Sequence, residues 1–261
     1  MFKYKLKIIP GTKEFVLKEL STKFPDSKVF KDRSEIAITF ESEVSDIDVF
    51  RQLYSPLYVV LIVESLEGRL SKVERNLFRK EWRKDFVPAG INPSLAYIMC
   101  QMAEINDQDI VLDPFCGGGT LPITASLYFG AKKVLASDIS GNAVDITIQN
   151  IKHAHLNKNK YVVFRSDVSK LKLQKDYINK VVTNLPFGIR TGDHESNLRI
   201  YSTFAKYMNT ILKIDSHLVI LTQEKELVRS VFNKVKFTLL NEYDVNQGGL
   251  IPTIFIFKKK Q

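Results

Sequence analysis

The stretch Val111-Leu112-Asp113-Pro114-Phe115-Cys116-Gly117-Gly118-Gly119-Thr120 decides the fold of this chain. It begins with apolar residues typical of a buried parallel strand and then breaks into three consecutive glycines. A helix pattern follows over residues 121–129, and Gly130 is placed to cap its end. A strand, a glycine turn and a helix in this order predict the first crossover of a doubly wound sheet, where a ligand can approach the backbone closely.

The residues around the turn favour a particular ligand over a tight turn without one. A dinucleotide fingerprint would need a glycine at position 122, where the chain has Pro122. Asp113, at the strand end, would repel a pyrophosphate and attract an ammonium group. A ligand with an adenosine and a positively charged amino-acid end fits both observations. We therefore expect S-adenosylmethionine (SAM) as the cofactor.

Polar side chains also follow the next three strands of the predicted sheet. Asp138 ends the second strand, Asp167 the third, and Asn184 follows the fourth. Open α/β sheets bind ligands at the carboxyl ends of their strands, so these loops should meet around one site. Asp138 is placed to accept from both ribose hydroxyls, and Asp167 from an adenine amine. Each acid alone reads more easily as a helix cap or a solvated loop residue, but together they predict a ligand site.

The charge of the chain is uneven along its length. Of the 261 residues, 44% are apolar, which is enough for a hydrophobic core, and the formal net charge is +9. Residues 1–68 carry 10 Lys and Arg against 11 Asp and Glu, whereas residues 69–261 carry 28 against 18. A basic second part suggests a polyanionic partner such as a nucleic acid, with a solvated lysine-rich surface as the alternative.

Several classes of protein are excluded by simple features of the sequence. The longest apolar run, residues 57–63, is too short to cross a membrane, and the N-terminus lacks the apolar core of a signal peptide. Two cysteines, Cys100 and Cys116, give neither a disulfide framework nor a metal cluster. We expect a cytoplasmic protein with no membrane partner and no metal. Cys116 is interpreted as a small residue in a tight loop rather than as a nucleophile.

The N-terminal part, residues 1–66, predicts a small α+β unit. Strands are expected over residues 4–9, 29–30, 35–40 and 57–63, and helices over residues 13–24 and 44–54. The order β-α-β-β-α-β is the ferredoxin-like pattern. Nothing in this unit indicates catalysis.

A charged connector, residues 67–88, follows. Its basic residues alternate with Phe78, Trp82 and Phe86, and such a pattern can bind phosphates and stack bases. An amphipathic helix that docks its aromatic side chains between two domains is the alternative. The residues predicted to bind RNA are Arg79, Lys80, Arg83 and Lys84 in the connector and, further along the chain, Arg190.

The remaining residues, 89–261, predict the doubly wound sheet. A helix beginning at Pro93 and capped by Asn92 should precede the first strand. Five strands alternate with helices, over residues 110–115, 133–139, 161–166, 180–183 and 217–222, and the chain closes with two strands over residues 236–245 and 251–258.

Two motifs together resemble a known family. Asp113 to Thr120, taken with Asn184-Leu185-Pro186-Phe187-Gly188, resembles the RNA N2-guanine methyltransferases that carry THUMP domains. The resemblance covers about residues 85–261. It implies an α/β fold, with a seven-stranded Rossmann-like methyltransferase sheet preceded by a small α+β ferredoxin-like domain. The connector departs from the family pattern, because about 20 residues between the two units leave no room for a full THUMP module.

The resemblance also implies roles for individual residues. Asn184, Leu185, Pro186 and Phe187 would hold the target amine and stack the base. The segment from Pro88 to Ser94 resembles the one that wraps the methionine end of the cofactor. The residues expected to bind the cofactor are Asn92, Pro93, Ser94, Asp113, Pro114, Phe115, Cys116, Gly117, Gly119, Thr120, Asp138, Ile139, Asp167, Val168 and Asn184.

Our hypothesis from the sequence is a SAM-dependent methyltransferase that acts on the N2 amine of a guanine in RNA, with tRNA preferred over rRNA. An N6-adenine methyltransferase is the first alternative, since the same motif can present either amine. A non-catalytic RNA-binding factor that kept the fold is the second. An oligomer or a partner protein could supply RNA recognition that a THUMP module would otherwise give.

Overall fold

The computed structural model describes residues 1–64, 70–88, 90–187 and 194–261, and these form two sheets with their own helices. The predicted class is confirmed: an α/β unit with a seven-stranded sheet follows a smaller antiparallel unit. Gly188 and Arg190 of the sequence predictions, together with Ala89, lie outside the described residues. The predicted boundaries at residues 66 and 88 stay a prediction.

The N-terminal unit has the strand order of a split βαβ fold with one further strand. Its elements are β1 (Phe2–Lys7), α1 (Lys13–Lys23), β2 (Lys28–Val29), β3 (Ala37–Ser42), a 3₁₀ helix (Ile47–Gln52), β4 (Tyr58–Glu64) and β5 (Leu70–Asn76). The sheet order is β2-β3-β1-β4-β5, and neighbouring strands pair antiparallel. Alternate residues of β1, Tyr4 and Leu6, are fully buried under α1 and the 3₁₀ helix, together with Phe50.

Two expectations for this part of the chain are wrong. The helix expected over residues 44–54 is a 3₁₀ helix of six residues, which Asp46 caps by accepting a hydrogen bond from the Asp48 N–H. The amphipathic helix considered for the connector is absent from its described residues, because residues 70–76 form β5 along β4. Strand β5 is an edge strand with mostly polar side chains, so the sequence lacks the apolar alternation that marks a half-buried strand.

The C-terminal unit follows the predicted order of elements closely. They are α2 (Pro93–Met102), β6 (Ile110–Asp113), α3 (Thr120–Phe129), β7 (Lys133–Asp138), α4 (Gly141–His153), β8 (Tyr161–Arg165), β9 (Ile178–Asn184), α5 (His194–Ile211), β10 (Leu212–Thr222), α6 (Lys225–Phe232), β11 (Phe237–Asp244) and β12 (Thr253–Lys259). The sheet order is β11-β12-β10-β9-β6-β7-β8, in which β12 alone runs antiparallel to its neighbours.

Helices cover both faces of this sheet, which explains why a central strand such as β6 is mostly apolar and buried, whereas the edge strand β11 is mostly exposed. One core contains Phe204 and Met208 of α5 and Val228 of α6, and the other contains Leu95 and Met99 of α2. Strand order reverses between β6 and β9, so the carboxyl ends of these strands flank the crevice where such sheets bind ligands. None of the helices in the described ranges combines the length and apolar composition that crossing a membrane requires.

The two units are joined by specific contacts near α2. The fully buried Ser94 hydroxyl at the start of α2 donates to the Pro56 carbonyl at 2.9 Å. The Phe15 ring of α1 meets the Tyr243 ring of β11 edge-on, with centroids 5.2 Å apart. Hydrogen bonding and aromatic packing across the junction therefore fix the start of α2 against the N-terminal unit.

Candidate functional site

The glycine turn after β6 has a backbone shape that only glycine adopts easily. Gly117 and Gly119 have φ angles of +51° and +79°, in the left-handed region. A Cβ atom on Gly119 would lie 2.9 Å from the Cγ2 atom of Thr147 on α4, which leaves no room for a side chain. The Cys116 N–H donates to the Ser137 carbonyl at 2.9 Å, so the turn is also tied to β7. The backbone of this turn is therefore fixed on the side that meets β7 and Thr147.

Two carboxylates flank the turn. Asp138 accepts from the Gly117 N–H through Oδ2 and from the Ser140 N–H through Oδ1, both at 3.0 Å. Asp113 is buried, and its Oδ1 accepts from the Thr183 hydroxyl at 2.7 Å and from the Phe115 N–H at 3.2 Å. Both acids thus lie where the sequence placed them, at the ends of adjacent strands beside the glycines.

Burial changes the ionisation of Asp113. Desolvation, with a smaller contribution from the nearby Asp138 carboxylate, raises its pKa to about 7, although the hydrogen bonds from Thr183 and Phe115 act in the opposite direction. The carboxyl group therefore changes charge near neutral pH. A cation bound beside Asp113 would favour the ionised form.

The third strand end contributes less side-chain surface than we expected. Asp167 caps a 3₁₀ helix, and its Oδ1 accepts from the Ser169 N–H at 2.8 Å, which lowers its pKa. Val168 is buried in the core. Ile139, after β7, is 62% exposed and offers an apolar surface beside Asp138.

The fourth strand end is held rigidly from behind. The Leu185 N–H donates to the Leu221 carbonyl at 3.0 Å, and the Tyr201 hydroxyl donates to the Pro186 carbonyl at 2.8 Å. The same hydroxyl lies 2.7 Å from Oγ1 of Thr222. Phe187 is partly buried against the core below α2. These contacts fix the course of the backbone immediately after Asn184.

Asn184 has an unpaired acceptor, as do Gln101, Asn209 and Gln247 elsewhere in the described part of the chain. Its Oδ1 is buried and accepts no hydrogen bond from any residue that the structure describes. Buried side-chain oxygens are nearly always paired, so this one calls for an explanation. Asn184 is the last residue of β9, the strand that pairs with β6, whose end carries the glycine turn. A donor from a bound molecule would satisfy it.

A residue that the sequence did not single out clamps the connector onto the glycine turn. The Asn150 side chain, fully buried on α4, donates from Nδ2 to the Asp85 carbonyl at 3.0 Å and to the Gly118 carbonyl at 2.9 Å. Its Oδ1 accepts from the Asp85 N–H at 3.3 Å. Val87 consequently lies over the turn, with Cγ2 3.3 Å from where a Gly117 Cβ would be.

Thr147 acts from the same helix, because its hydroxyl donates to the Gly117 carbonyl at 2.7 Å. Thr147 and Asn150 are three residues apart on the buried stripe of α4. Polar residues on an apolar stripe are the sequence signal that could have identified both of them.

Other predicted cofactor residues are placed close to the turn, but several direct their side chains away from it. Asn92 caps α2 by accepting from the Ser94 N–H at 2.8 Å, while the Ser94 hydroxyl is directed to Pro56. Pro93, Pro114 and Thr120 are buried. The Phe115 ring packs edge-on against Phe204, with centroids 5.7 Å apart.

Cys116 is buried, with Sγ 3.5 Å from the Thr147 hydroxyl, and burial raises the pKa of its thiol. A protonated, enclosed thiol is a poor nucleophile, which agrees with our interpretation of Cys116 as a small residue in the loop. Within the described ranges, no cluster of three or more His, Cys, Asp or Glu side chains could hold a metal ion.

The basic residues of the connector divide into two groups. Arg79 and Lys84 are exposed. Lys80 instead donates to the Leu77 carbonyl at 2.6 Å and lies over the Tyr54 and Tyr128 rings, and burial lowers its pKa to about 8. Arg83 lies over the Phe86 ring, 5.0 Å from its centroid.

Trp82 is buried among residues of the C-terminal unit, and its Nε1 donates to the Tyr128 hydroxyl at 3.1 Å. The connector therefore docks aromatic side chains between the units, as in our alternative interpretation, but without a helix. The predicted role of its basic residues in RNA binding stays a prediction.

Sheet order, glycine turn and strand-end acids define a class, the Rossmann-like methyltransferases. A family model described as "UPF0020: RMKL-like, methyltransferase domain" matches residues 80–253, which is more than half of the chain. The chain belongs to this family.

Several similar proteins are named tRNA guanine-N2 methyltransferases. The chain is 24% identical over 206 residues to a tRNA (guanine(6)-N2)-methyltransferase of Methanocaldococcus jannaschii, which covers 64% of this chain and 54% of that protein. It is 29% identical over 212 residues to a tRNA (guanine(10)-N2)-dimethyltransferase of the same organism, covering 77% and 57%. The chain spans about half of the length of these relatives. The resemblance to RNA N2-guanine methyltransferases is confirmed.

Solved structures show the same fold. TrmN from Thermus thermophilus superposes with a TM-score of 0.85 at 17% identity, covering 99% of this chain and all of that chain. A geranyl diphosphate methyltransferase in complex with SAM reaches a TM-score of 0.54 at 10% identity, covering 65% of this chain and 86% of that one. At these identities the likeness concerns the fold alone.

The titration of Asp113 gives a first prediction. Its pKa is raised to about 7, so the carboxylate that should attract the ligand's ammonium group is lost as the pH falls through 7. We expect the affinity for S-adenosylhomocysteine to be roughly tenfold lower at pH 6 than at pH 8. Calorimetry across this range measures it, with Asp113→Asn as the control whose affinity should be weak and nearly constant. A wild-type affinity that does not change would contradict this role.

The clamp made by Asn150 gives a second prediction. Asn150→Ala removes the contacts that hold the connector over the glycine turn, and an unmade buried hydrogen bond costs roughly 1–3 kcal/mol. We expect S-adenosylhomocysteine to bind at least about fivefold more weakly, measured by calorimetry on protein shown to be folded by circular dichroism. Gln149→Ala, at the exposed neighbouring position of α4, is the matched control. Equal affinities of the two variants would show that the connector does not form part of the site.

Proposed function

We propose that this chain uses SAM to methylate the exocyclic N2 amine of a guanine in tRNA. The observation that carries the proposal is the buried, unpaired Oδ1 of Asn184 at the end of β9, next to the strand that ends in Asp113 and the glycine turn. An aromatic exocyclic amine is a donor of the kind this oxygen lacks. The names of the relatives, tRNA (guanine-N2)-methyltransferases, support the choice of amine and of RNA.

The site suits SAM in the chemistry of its groups. Asp138 has unused lone pairs on both carboxylate oxygens, which can accept from ribose hydroxyls. Asp113 offers a buried negative charge to the ammonium group of the methionine end. The glycine turn allows close approach of the ligand, and Ile139 provides an apolar surface for adenine. Bound SAM supplies an electrophilic methyl group; the protein supplies the positions.

The motif after β9 would position the nucleophile. The lone pair of a guanine N2 amine is delocalised into the ring, so the amine needs to be oriented before it can attack. Asn184 Oδ1 would accept a hydrogen bond from one of its N–H groups, and the backbone fixed by Tyr201 and Leu221 keeps that oxygen in place. Phe187 would offer its ring to the base. Orientation of two reactants in one cleft accounts for most of the expected rate.

The base has to leave its stack to enter such a cleft, so a flipped or unpaired guanine is the expected target. We also propose that the protein acts in the cytoplasm and that an oligomer or a partner protein supplies further RNA recognition.

Methyl transfer to tRNA tests the proposal. The purified chain is incubated with methyl-labelled SAM and tRNA, and the digested nucleosides are separated. We expect label in N2-methylguanosine. Label in N6-methyladenosine would assign the adenine amine instead, and no label with tight SAM binding would favour a non-catalytic RNA-binding factor.

Asn184→Ala tests the role of the motif in the same reaction. Removing a contact made in the transition state lowers turnover more than ground-state binding, and the loss of one such contact slows a reaction by about 10²–10³-fold. Single-turnover rates at saturating tRNA and SAM measure this effect, while calorimetry should show nearly unchanged affinity for S-adenosylhomocysteine. Asn184→Asp keeps an acceptor oxygen and should retain more activity. An alanine variant that transfers methyl groups at wild-type speed would contradict the mechanism.

A further inference from the structure

Strand pairing gathers lysines on one face of the N-terminal sheet. In β1 the buried residues Tyr4 and Leu6 alternate with exposed Lys3, Lys5 and Lys7, so the three lysines point away from the core. Lysines two residues apart on a strand are spaced by roughly 6.8 Å. The central strand of this sheet therefore presents a row of three positive charges to solvent.

The neighbouring strands add to this row. On one side of Lys3, the register pairs it with Glu41 of β3, and Glu41 in turn pairs with Lys28 of β2. On the other side, Lys3 pairs with Ile62 of β4, and Ile62 pairs with Lys72 of β5. Among the residues whose side chains the structure describes, the charged ones that the register assigns to this outer face are Lys3, Lys5, Lys7, Lys28, Lys72, Glu41 and Glu74. Within this set, five lysines outnumber two glutamates.

This surplus is hidden in the charge of the whole unit. Residues 1–76, which include β5, carry 13 Lys and Arg against 12 Asp and Glu, so their sum is only +1. Segregation of a positive face within a nearly neutral unit creates a field that a polyanion can follow.

Aromatic rings accompany the lysines on the outer face. Lys3 lies 5.3 Å from the centroid of the Phe30 ring, which is 43% exposed. Lys7 lies 5.1 Å from the centroid of the Tyr58 ring and pairs with Glu74. Lys5, at the centre, forms no ion pair within the described part of the chain. Cations with aromatic faces between them suit a chain of phosphates and bases better than a simple anion.

We propose that this outer face, defined by Lys3, Lys5, Lys7, Lys28, Lys72, Phe30 and Tyr58, is an RNA-binding surface. The inference rests on the proposed function, because the RNA bound there is the methylated substrate. The register places Lys5 opposite Val60 and Lys3 opposite Ile62, so the lysine stems can cover this apolar surface while their ammonium groups reach the phosphates. The N-terminal unit thus holds the substrate while its guanine enters the cleft of the C-terminal unit.

The test compares two charge reversals in the same unit. Lys5→Glu changes the outer face, and Lys18→Glu changes an exposed position of α1, which packs against the inner face. We expect Lys5→Glu to raise the KM for tRNA roughly fivefold, with kcat and SAM affinity unchanged, and Lys18→Glu to leave all three near wild type. The triple substitution of Lys3, Lys5 and Lys72 by Gln should reduce the salt dependence of tRNA binding by about 2–3 in the log–log slope.

The outcomes separate this inference from the proposed function. If wild-type protein transfers methyl groups to tRNA but the triple variant keeps the wild-type KM and slope, the outer face is only a solvated surface and the inference is wrong. Equal losses in Lys5→Glu and Lys18→Glu would likewise reject it, because any positive charge would then serve. Absence of methyl transfer by the wild type overturns the proposed function instead, and tRNA binding can still be measured.

Discussion

The site depends on the hydrogen bonds that hold the glycine turn after β6. Asp138 binds the Gly117 N–H, the Thr147 hydroxyl binds the Gly117 carbonyl, and Asn150 binds the Gly118 carbonyl. Three side chains from β7 and α4 thereby satisfy the outward backbone of the turn, which glycine alone can follow without strain. The ligand meets a backbone that is already in its final shape, so little ordering is needed on binding.

The same hydrogen bonds connect the turn to the rest of the molecule. Asn150 also binds Asp85, so the connector from the N-terminal unit passes directly over the turn. Ser94 ties the start of α2 to Pro56 on the other side. The cofactor site that we propose is therefore enclosed partly by segments whose positions depend on the junction between the units. A methyltransferase sheet alone would leave this side open.

The opposite wall combines buried polar groups of different kinds. Asp113 is desolvated and changes charge near pH 7, while Asn184 keeps an unpaired oxygen at the next strand end. Asp113 ends β6 and Asn184 ends the paired strand β9, so a cation-attracting group and an amine acceptor lie at the ends of adjacent strands. Neighbouring sites for a positively charged methyl donor and a neutral amine are what methyl transfer between them requires.

The strand-end residues could be predicted from the sequence because their positions follow from strand periodicity and sheet topology. Asp113, Asp138, Asp167 and Asn184 all lie at the expected strand ends. Strand β5 could not be predicted, since an edge strand of Ser71, Lys72, Glu74 and Arg75 has no apolar face to mark it. The conformation of this segment depends on its pairing with β4, a tertiary contact that the local sequence does not reveal.

Tertiary partners also decide where the side chains of the predicted binding residues point. The Ser94 hydroxyl and the Lys80 ammonium are directed to backbone carbonyls of Pro56 and Leu77, and no local pattern in the sequence distinguishes these partners from a ligand. Asn150 is the reverse case, a mid-helix polar residue whose role appears only when α4 is placed against the connector.

We propose that the turn, the strand-end acids and the connector together form a SAM site, and the proposed function depends on this claim. A crystal structure of the chain with S-adenosylhomocysteine tests it most directly. We predict that the ribose hydroxyls donate to Asp138, that the ammonium group lies beside Asp113 and that the connector residue Val87 lies over the ligand. A ligand bound elsewhere, or one that leaves Asp138 and Asp113 without contacts, would contradict it.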